Sequence, residues 1–311
     1  MLVELGIGDA FGFSFEFADP RFVAKRNSPK NGYVRHHKWS DTIKPGSYSD
    51  DTQMSLALAE FMLVDDEPWT TRRLADAFVS AFKRDIRPGY AGGFFMLLQE
   101  VKDGSELLDR LTPHSIKSGG AMRAAPCGLL QDPYDVIDKA EWQASLTHAT
   151  RDGMEAAAGA ALLVWACRHG IARDALEEFL DDYLPATIGL WEGPVGSSGL
   201  DAVSAAVTAI QKWGSLSNIL WECVRFTGDV DTVAAIAMAA ASMHPDIKQD
   251  LPQILYDRLE NGPFGRDYLR AVDERLMAAF PLDAPPVQEP APGGDADFLD
   301  LLLTPTPGGA R

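Results

Sequence analysis

The chain has 311 residues, of which 45 are acidic and 28 are basic, so its formal net charge is −17. This charge argues against nucleic-acid and anionic-membrane partners, because both are polyanions that attract basic patches. The three cysteines are too widely spaced for a disulfide framework, the start lacks the basic region of a signal peptide, and no apolar run reaches the roughly 18 residues of a membrane span. We therefore expect a soluble, cytoplasmic protein.

Most of the chain is predicted to be helical, because long stretches rich in Ala, Leu, Met and Glu lack internal proline and strand-like alternation is nearly absent. Helices are predicted at 50–63, 70–83, 151–169, 200–213, 229–243 and 266–280. The stretches 151–169 and 229–243 are apolar on almost every side, which is typical of helices buried at the centre of a bundle. The polar helix 70–83 belongs to an outer layer.

Glycine- and serine-rich breaks separate the predicted helices at 44–49, 87–93, 117–121 and 192–199, and such loops often carry chemistry. After about residue 282 the composition becomes rich in proline and glycine. Sequence of this kind buries too little apolar surface to fold. We therefore predict one domain over 1–282 and a flexible tail over 283–311.

Two acidic clusters lie where a loop enters a predicted helix. The first is Ser49-Asp50-Asp51-Thr52, and its simplest interpretation is helix capping by Ser49 with two aspartates in the first turn. The second is Asp229-Val230-Asp231-Thr232, which precedes the most apolar helix of the chain. Capping explains one aspartate there, but carboxylates at the mouth of a buried helix need partners.

A divalent cation is the second interpretation of both clusters. Carboxylate and hydroxyl oxygens suit hard ions such as Mg²⁺, Mn²⁺ or Ca²⁺. An EF-hand is excluded, because the sixth and twelfth positions counted from Asp229 are alanines, Ala234 and Ala240. Two half-sites, each with two aspartates and a hydroxyl, would together form a two-ion site.

A third acidic position, Glu16, follows glycines at 6, 8 and 12 and stands among phenylalanines. Glycines at this spacing allow close helix packing or a tight turn. A carboxylate in apolar surroundings has a raised pKa, which suits acid–base or orienting roles. An exposed loop glutamate is the alternative interpretation.

Six segments in order resemble the ADP-ribosylglycohydrolase family, which includes the dinitrogenase reductase-activating glycohydrolases. They are GDAFGFSFE (8–16), YSDDTQM (48–54), RDIRPGYAGG (84–93), SGGAMRAAPCG (118–128), LTHAT (146–150) and FTGDVDTVAAIA (226–237). The resemblance runs from about residue 3 to 281. It implies an all-α fold, a single compact orthogonal helical bundle, with a binuclear Mg²⁺ centre at the bottom of a cleft.

The resemblance also assigns roles to individual residues. It implies two Mg²⁺ ions, with Mn²⁺ as an alternative, on Ser49, Asp50, Asp51, Asp229, Asp231 and Thr232. Asp50, Asp51 and Asp231 then take part in catalysis together with Glu16, which falls beside the scissile ribose. The substrate is held by Gly92, Gly93, Ser118, Gly119 and Gly120 through backbone N–H groups, and by His148 near the phosphates. A purely structural role is the alternative for His148.

Two departures from the family pattern bear on the pocket. Ser49 stands where threonine is common, and either hydroxyl can coordinate a metal. The glycine-rich SGGAM loop replaces a bulkier residue, which predicts a wider pocket beside the ribose.

The expected activity is hydrolysis of the glycosidic bond between ADP-ribose and a modified acceptor, by default an arginine on a protein. The expected partners are an ADP-ribosylated protein or an ADP-ribose-bearing small molecule, and we expect a monomer. Two alternatives stay open: a non-catalytic ADP-ribose-binding or crystallin-like structural member, and a metal-dependent phosphohydrolase.

Overall fold

The computed structural model describes residues 1–64 and 68–282. The described residues form fourteen α-helices: α1 (Leu2–Phe13), α2 (Pro20–Arg26), α3 (Asp50–Met62), α4 (Thr71–Arg84), α5 (Gly92–Glu100), α6 (Gly104–Arg110), α7 (Pro133–His148), α8 (Arg151–Arg168), α9 (Leu176–Tyr183), α10 (Gly199–Lys212), α11 (Leu216–Arg225), α12 (Val230–Ala241), α13 (Gln253–Arg258) and α14 (Arg266–Ala279). Short 3₁₀ helices lie at Pro29–Asn31, Ser118–Gly120, Ala125–Leu129 and Arg173–Ala175. Isolated β-bridges occur, but no strand forms in these residues, so the all-α prediction is confirmed.

All six helices predicted from composition are present, with ends within two residues of the predicted ones. Helix α1 was not predicted as a helix, because Gly6, Gly8 and Gly12 lower its intrinsic helix propensity. Its side chains are nevertheless buried at every position except Glu4. Tertiary packing therefore stabilises a segment whose local preference is weak.

Helix α12 lies at the centre of the fold, and all of its residues are buried. It packs against α1, α8, α10 and α11. Helix α8 is likewise buried along almost its whole length, from Glu155 to Arg168. Helix α4 buries only one side, which includes Leu74, Phe78 and Phe82. The central and outer positions expected for these helices are confirmed.

The contact between α1 and α12 depends on glycine. A Cβ at Gly12 would lie 2.5 Å from the Cα of Asp231, and a Cβ at Gly8 would overlap the carbonyl of Ala234. With hydrogen in those positions, the two backbones touch directly. The close helix packing predicted from the glycine spacing is present, and it fixes the first turn of α12 against α1.

Residues Met1–Pro281 form one compact unit. The predicted tail, 283–311, lies outside the described residues, so its flexibility stays a prediction. No helix in the described ranges combines the length and the apolar character that crossing a bilayer demands.

Candidate metal and substrate site

A cavity of about 530 Å³ opens where the N-terminal ends of α3, α5 and α12 meet. Three isolated backbone bridges, His114–His148, Lys117–Ser198 and Val195–Gly228, join the loops around it. Its lining includes ten of the residues singled out in the sequence: Glu16, Asp50, Asp51, Gly93, Ser118, Gly119, His148, Asp229, Asp231 and Thr232. The two acidic clusters, about 180 residues apart in sequence, therefore share one cavity.

The first cluster is positioned by the start of α3. Ser49 is the N-cap of this helix, and its hydroxyl accepts a hydrogen bond of 3.2 Å from the backbone N–H of Asp51. Asp50 and Asp51 follow in the first turn, where their charges interact favourably with the helix dipole. Ser49 itself is fully buried and is not among the residues that line the cavity. The capping interpretation thus describes Ser49, while both aspartates reach the cavity.

Asp9 on α1 holds this helix start in place. Its buried carboxylate accepts hydrogen bonds from the backbone N–H groups of Ser49, at 2.9 Å, and Thr52, at 3.0 Å, and from the Thr52 hydroxyl at 2.5 Å. Sequence analysis gave Asp9 no role, although it lies inside the GDAFG segment. Its role depends on a tertiary contact with α3 that local sequence does not reveal.

Asp50 packs against the loop before α5. The Asp50 N–H donates to the carbonyl of Pro88 at 3.1 Å. Gly89 has a φ of +110°, and a Cβ there would overlap the Asp50 carboxylate. Only glycine combines this backbone conformation with this close approach. Gly89 is therefore part of the site architecture, a role that sequence analysis did not assign.

The second cluster begins in a sharp turn before α12. Thr227 and Gly228 both have positive φ, at 65° and 93°. Backbone hydrogen bonds hold the turn from two sides: Val195 N–H donates to Thr227 and Phe17 N–H donates to Gly228. Asp229 follows, and its Oδ2 accepts from the Ser118 hydroxyl at 2.9 Å. A β-branched residue in this conformation stores backbone strain, as is common at functional sites.

Glu16 completes the carboxylate group, by which we mean the five acidic side chains that line the cavity: Glu16, Asp50, Asp51, Asp229 and Asp231. It follows α1, and oxygen atoms of Glu16, Asp229 and Asp231 lie within 4.8 Å of one another. Burial, the charge of Asp229 and the charge of Asp9 raise the pKa of Glu16 to about 7, while Lys38 opposes the shift. The raised pKa expected from its apolar surroundings is present.

The remaining carboxylates are more deeply buried. Burial and mutual repulsion raise the pKa of Asp50, Asp51 and Asp231 well above the usual range, and burial raises that of Asp229. Burial also raises the pKa of Asp9 to about 6, against the hydrogen bonds from Thr52 and Ser49. No salt bridge to a described lysine or arginine neutralises these five aspartates.

Two carboxylate oxygens in this group have no hydrogen-bond partner. They are Oδ2 of Asp51 and Oδ1 of Asp231, one from each cluster, and both are buried. Unpaired buried charge is costly, so these atoms call for a cation. An all-oxygen set of carboxylates with the Thr232 hydroxyl suits a hard divalent ion. The residues therefore fit the magnesium centre expected from the sequence.

Arg123 organises the cavity loop that contains Ser118 and Gly119. Its guanidinium is fully buried and donates to the carbonyl of Gly119 at 2.9 Å, to Gln143 and to the Thr147 hydroxyl. Gln143 in turn donates to the carbonyl of Gly120 at 2.9 Å. These bonds fix the 3₁₀ turn Ser118–Gly120, although Gly120 itself does not line the cavity. Arg123 lies in the SGGAMRAAPCG segment but was not assigned a role.

The N–H of Ser118 donates to the carbonyl of Ser197 at 2.9 Å. Its hydroxyl is bonded to Asp229, so Ser118 links the loop to the second acidic cluster. This differs from the expected role of the Ser118 N–H as a ligand-binding donor, which stays untested.

His148 lies beneath the same loop. Its Nδ1 is 2.6 Å from the Thr147 hydroxyl, and its Cε1 would be 3.1 Å from a Cβ on Gly119. Burial and the charge of Arg123 lower the pKa of His148 to about 3, so the imidazole is neutral at pH 7. A neutral ring facing the cavity is suited to hydrogen bonding rather than to charge neutralisation.

Gly92 and Gly93 begin α5, and both are exposed. Gly93 lines the cavity, whereas Gly92 does not. A Cβ on either would meet nothing within 4 Å. The first N–H groups of a helix form a favourable anion site, which agrees with a role in holding phosphate.

Comparison with known proteins identifies the family. The family model of the ADP-ribosylglycohydrolases matches residues 1–286. The chain belongs to the ADP-ribosylglycohydrolase family. One solved structure, described as an ADP-ribosylglycohydrolase-related protein complex, is similar with a TM-score of 0.65 at 22% identity, over 89% of this chain and 95% of that one. A search of curated proteins found no match.

Membership confirms the resemblance noted in the sequence and supports glycohydrolase activity in general. ADP-ribosylglycohydrolases act on ADP-ribosylated substrates and generally use divalent metals. Among the described residues, the carboxylates of Glu16, Asp229 and Asp231 lie close enough together to hold a metal ion.

Proposed function

We propose that this ADP-ribosylglycohydrolase is a Mg²⁺-dependent hydrolase that cleaves the bond between ADP-ribose and an arginine side chain and releases ADP-ribose. One observation carries the metal dependence: Asp51 and Asp231 each present a buried carboxylate oxygen without a partner. Two Mg²⁺ ions would be held by Asp50, Asp51, Asp229 and Asp231, with Thr232 as a hydroxyl ligand. Ser49 positions Asp50 and Asp51 by capping α3. Its hydroxyl would become a ligand if it rotated away from the Asp51 N–H.

When bound, the ions supply Lewis-acid polarisation of a water molecule and of the ribose hydroxyls. The chain's own residues do the rest. The floor carboxylates concentrate negative charge where an oxocarbenium-like transition state develops positive charge at the anomeric carbon. Such charge stabilisation is the largest single contribution in many enzymes.

Glu16 is suited to proton transfer at the scissile bond. With a pKa raised to about 7, it holds a proton for part of the time near neutral pH and can either donate or accept one. It lines the cavity beside Asp229 and Asp231, with carboxylate oxygens of the three residues within 4.8 Å of one another. We propose Glu16 as the residue that orients the ribose and assists departure of the acceptor.

Two segments of the cavity wall are suited to the diphosphate. Gly93 lines the cavity in the first turn of α5, where helix N–H groups lack intrahelical acceptors, and the Ser118–Gly120 turn is fixed by Arg123. His148 is neutral and adds a hydrogen-bonding group without extra charge. These groups are the proposed binding site for ADP-ribose phosphates.

Arginine is the proposed acceptor because its guanidinium remains cationic at every relevant pH. With two Mg²⁺ ions on the four aspartates, Glu16 is the lining carboxylate left to attract that guanidinium, and the neutral hydroxyl of serine would gain less from it. An ADP-ribosylated protein and a small arginine conjugate would both be substrates on this chemistry. We propose that the enzyme is monomeric and cytoplasmic.

A linkage panel tests the proposal. ADP-ribose linked to arginine, serine or a nucleotide is incubated with the full chain and Mg²⁺, and released ADP-ribose is quantified. Expected results are fastest turnover of the arginine conjugate, loss with a chelator, and recovery on adding Mg²⁺. Asp231→Ala is expected to abolish turnover and leave the helical circular dichroism unchanged. Faster turnover of the serine conjugate than of the arginine conjugate would change the proposed acceptor and leave the proposed hydrolase activity standing.

Other outcomes favour other functions. Binding of ADP-ribose without hydrolysis of any conjugate would identify a non-catalytic member of the family. AMP among the products would indicate a phosphohydrolase, since its release requires cleavage within the diphosphate. Wild-type turnover by Asp231→Ala would contradict the two-ion mechanism.

A further inference from the structure

A basic surface contrasts with the acidity of the rest of the chain. Residues 20–44 contain seven lysines or arginines and one acidic residue, Asp41. All seven basic side chains are exposed: Arg21, Lys25, Arg26, Lys30, Arg35, Lys38 and Lys44. We call this set the basic surface. It begins on α2 and continues through the loop that leads to α3.

None of these seven cations forms a salt bridge with any residue in the ranges 1–64 and 68–282. Basic residues elsewhere pair readily, as Arg72 does with Asp76 and Arg87 with Asp85. With 45 acidic side chains in the sequence, carboxylates are abundant. Like charges held together without neutralisation repel one another, so a ligand that supplies negative charge gains from binding here.

A groove runs through the basic surface. A second cavity, of about 420 Å³, is lined by Lys25, Arg26 and Arg35 together with Phe22 and Tyr33. The lining of this groove therefore combines aromatic and cationic side chains. An extended peptide with carboxylate side chains is complementary to both features, because its stem atoms contact the rings and its carboxylates reach the cations.

The loop that carries part of the basic surface packs against the segment that leads to Glu16. The Ser14 hydroxyl donates to the carbonyl of Val34 at 2.9 Å, and the positive charge of Lys38 lowers the pKa of Glu16 against the effect of burial. The His36 ring contacts Phe13 at 5.1 Å and stacks on the half-exposed Trp39 at 4.6 Å. Phe22 and His37 connect this aromatic group to α2, with ring centroids 6.1 Å apart.

We propose that the basic surface binds an acidic segment of the substrate protein, next to the ADP-ribosylated residue in the main cavity. This inference rests on the proposed function for its substrate. A peptide fits better than a nucleic acid, because a short acidic segment can contact the seven cations without extending beyond them. A long polyanion would also lie over the rest of the surface, whose negative charge would repel it. The surface thus selects among modified proteins by the charge beside the modification.

Direct binding tests the surface without catalysis. The probe is a fluorescein-labelled decapeptide of alternating glutamate and glycine, titrated against the full chain at low salt. Lys25→Glu combined with Arg35→Glu is expected to weaken binding at least tenfold. The matched control combines Lys102→Glu with Lys248→Glu, two exposed lysines outside the basic surface, and is expected to change it less than twofold. Equal loss in both variants, or undetectable binding by the wild type, would overturn the proposal.

A labelled ten-residue oligothymidylate is the second probe. Tighter binding of this strand than of the decapeptide would assign the surface to nucleic acid instead and overturn the peptide proposal. Decreasing affinity for the decapeptide as salt rises is expected, because the contacts are between exposed charges.

Kinetics connect the surface to turnover. Two ADP-ribosyl-arginine peptides are compared, one with glutamates flanking the arginine and one with serines. The wild type is expected to show at least a fivefold higher kcat/KM for the acidic peptide than for the serine peptide, because its KM is lower while kcat is unchanged. The Lys25→Glu, Arg35→Glu variant is expected to lose this preference and keep its rate on the serine peptide. If neither peptide is hydrolysed, the proposed function fails, while the decapeptide titration still decides the binding surface.

Discussion

Gly12 lies directly against Asp231, so close that a Cβ on the glycine would be 2.5 Å from the aspartate Cα. The same helix, α1, carries Asp9, which receives hydrogen bonds from the backbone of Ser49 and Thr52. One helix thus contacts the start of α3 and the start of α12. The distance between the two acidic clusters depends on α1, although its own aspartate does not line the cavity.

Gly12→Ala is expected to move the first turn of α12 away from α1. The added methyl group meets backbone atoms, which cannot rotate aside, and overpacking of this kind costs about 1 to 3 kcal/mol of unfolding free energy. Mg²⁺-dependent hydrolysis should fall by more than tenfold. Urea unfolding and turnover measure both effects. Gly6→Ala is the control on the same helix, since its Cβ meets mainly the flexible end of Leu269 at 3.1 Å. Equal activity loss in the two variants would argue against a specific role for the Gly12 contact.

Asp231→Asn should raise the melting temperature of the metal-free protein and abolish its further rise on adding Mg²⁺. The substitution removes one uncompensated charge from the carboxylate group, which relieves repulsion, and removes a ligand. In the wild type, ligand at 100 times its Kd contributes about 2.7 kcal/mol. Differential scanning fluorimetry with and without Mg²⁺ measures both changes. Asp152→Asn is the control, because Asp152 occupies the same second position of another buried helix, α8, but is exposed. A full Mg²⁺ response in Asp231→Asn would contradict its assignment as a ligand.

Arg123→Lys should impair substrate binding more than the chemical step. Lysine cannot replace the guanidinium hydrogen bonds to Gly119, Gln143 and Thr147, so the Ser118–Gly120 turn loses its support. We expect a loss of about 2 to 3 kcal/mol in stability and a KM raised tenfold, with kcat reduced less. Steady-state kinetics on ADP-ribosyl-arginine test this. Arg168→Lys is the control: it is also a buried arginine bonded to carbonyls, but it lies outside the cavity lining and should leave KM unchanged.

The Glu222 ion-pair group predicts a pH dependence of stability. Glu222 is buried and accepts from Lys212, Arg225 and Trp213, which lower its pKa to about 2. Because the pKa of Glu222 is lower in the folded state, its ionised side chain stabilises the fold at pH values above its ordinary pKa of 4.5. This contribution is lost as the pH falls from 4.5 towards 2. Glu222→Gln should therefore cost about 1 to 2 kcal/mol at pH 7, because the half-exposed partners are screened by solvent, and less at pH 3. Urea titrations at both pH values measure the difference. An equal cost at pH 3 would show that charge is not responsible.

Local sequence predicted the parts of the site that depend on neighbours in the chain. Asp50 and Asp51 follow an N-cap serine, and Asp231 lies in the first turn of an apolar helix, so their positions at helix starts could be predicted from the local sequence. The glycines of α1 indicated close packing, but not which helix would be packed. The all-α class followed from composition, and the family from six ordered segments.

The residues that were missed act through tertiary contacts. Asp9 caps a helix 40 residues away, and Arg123 braces a turn through Gln143 on another helix. Gly89 is required by the position of Asp50, which no local pattern reveals. Each of these residues acts through a contact with a segment distant in the chain, and the local sequence around it does not identify that partner. The metal count, the acceptor and the roles of Glu16 and His148 stay predictions.

The shared contact of α1 with both acidic clusters has a dynamic consequence. Ions bridging α3 and α12 would also oppose separation of α1 from either helix, since its backbone touches one and its Asp9 is bonded to the other. Amide protons of α1 should therefore exchange more slowly with solvent deuterium when Mg²⁺ is added, even though this helix supplies no ligand. The exchange rates of α1 would then report occupancy of a cavity that none of its residues lines.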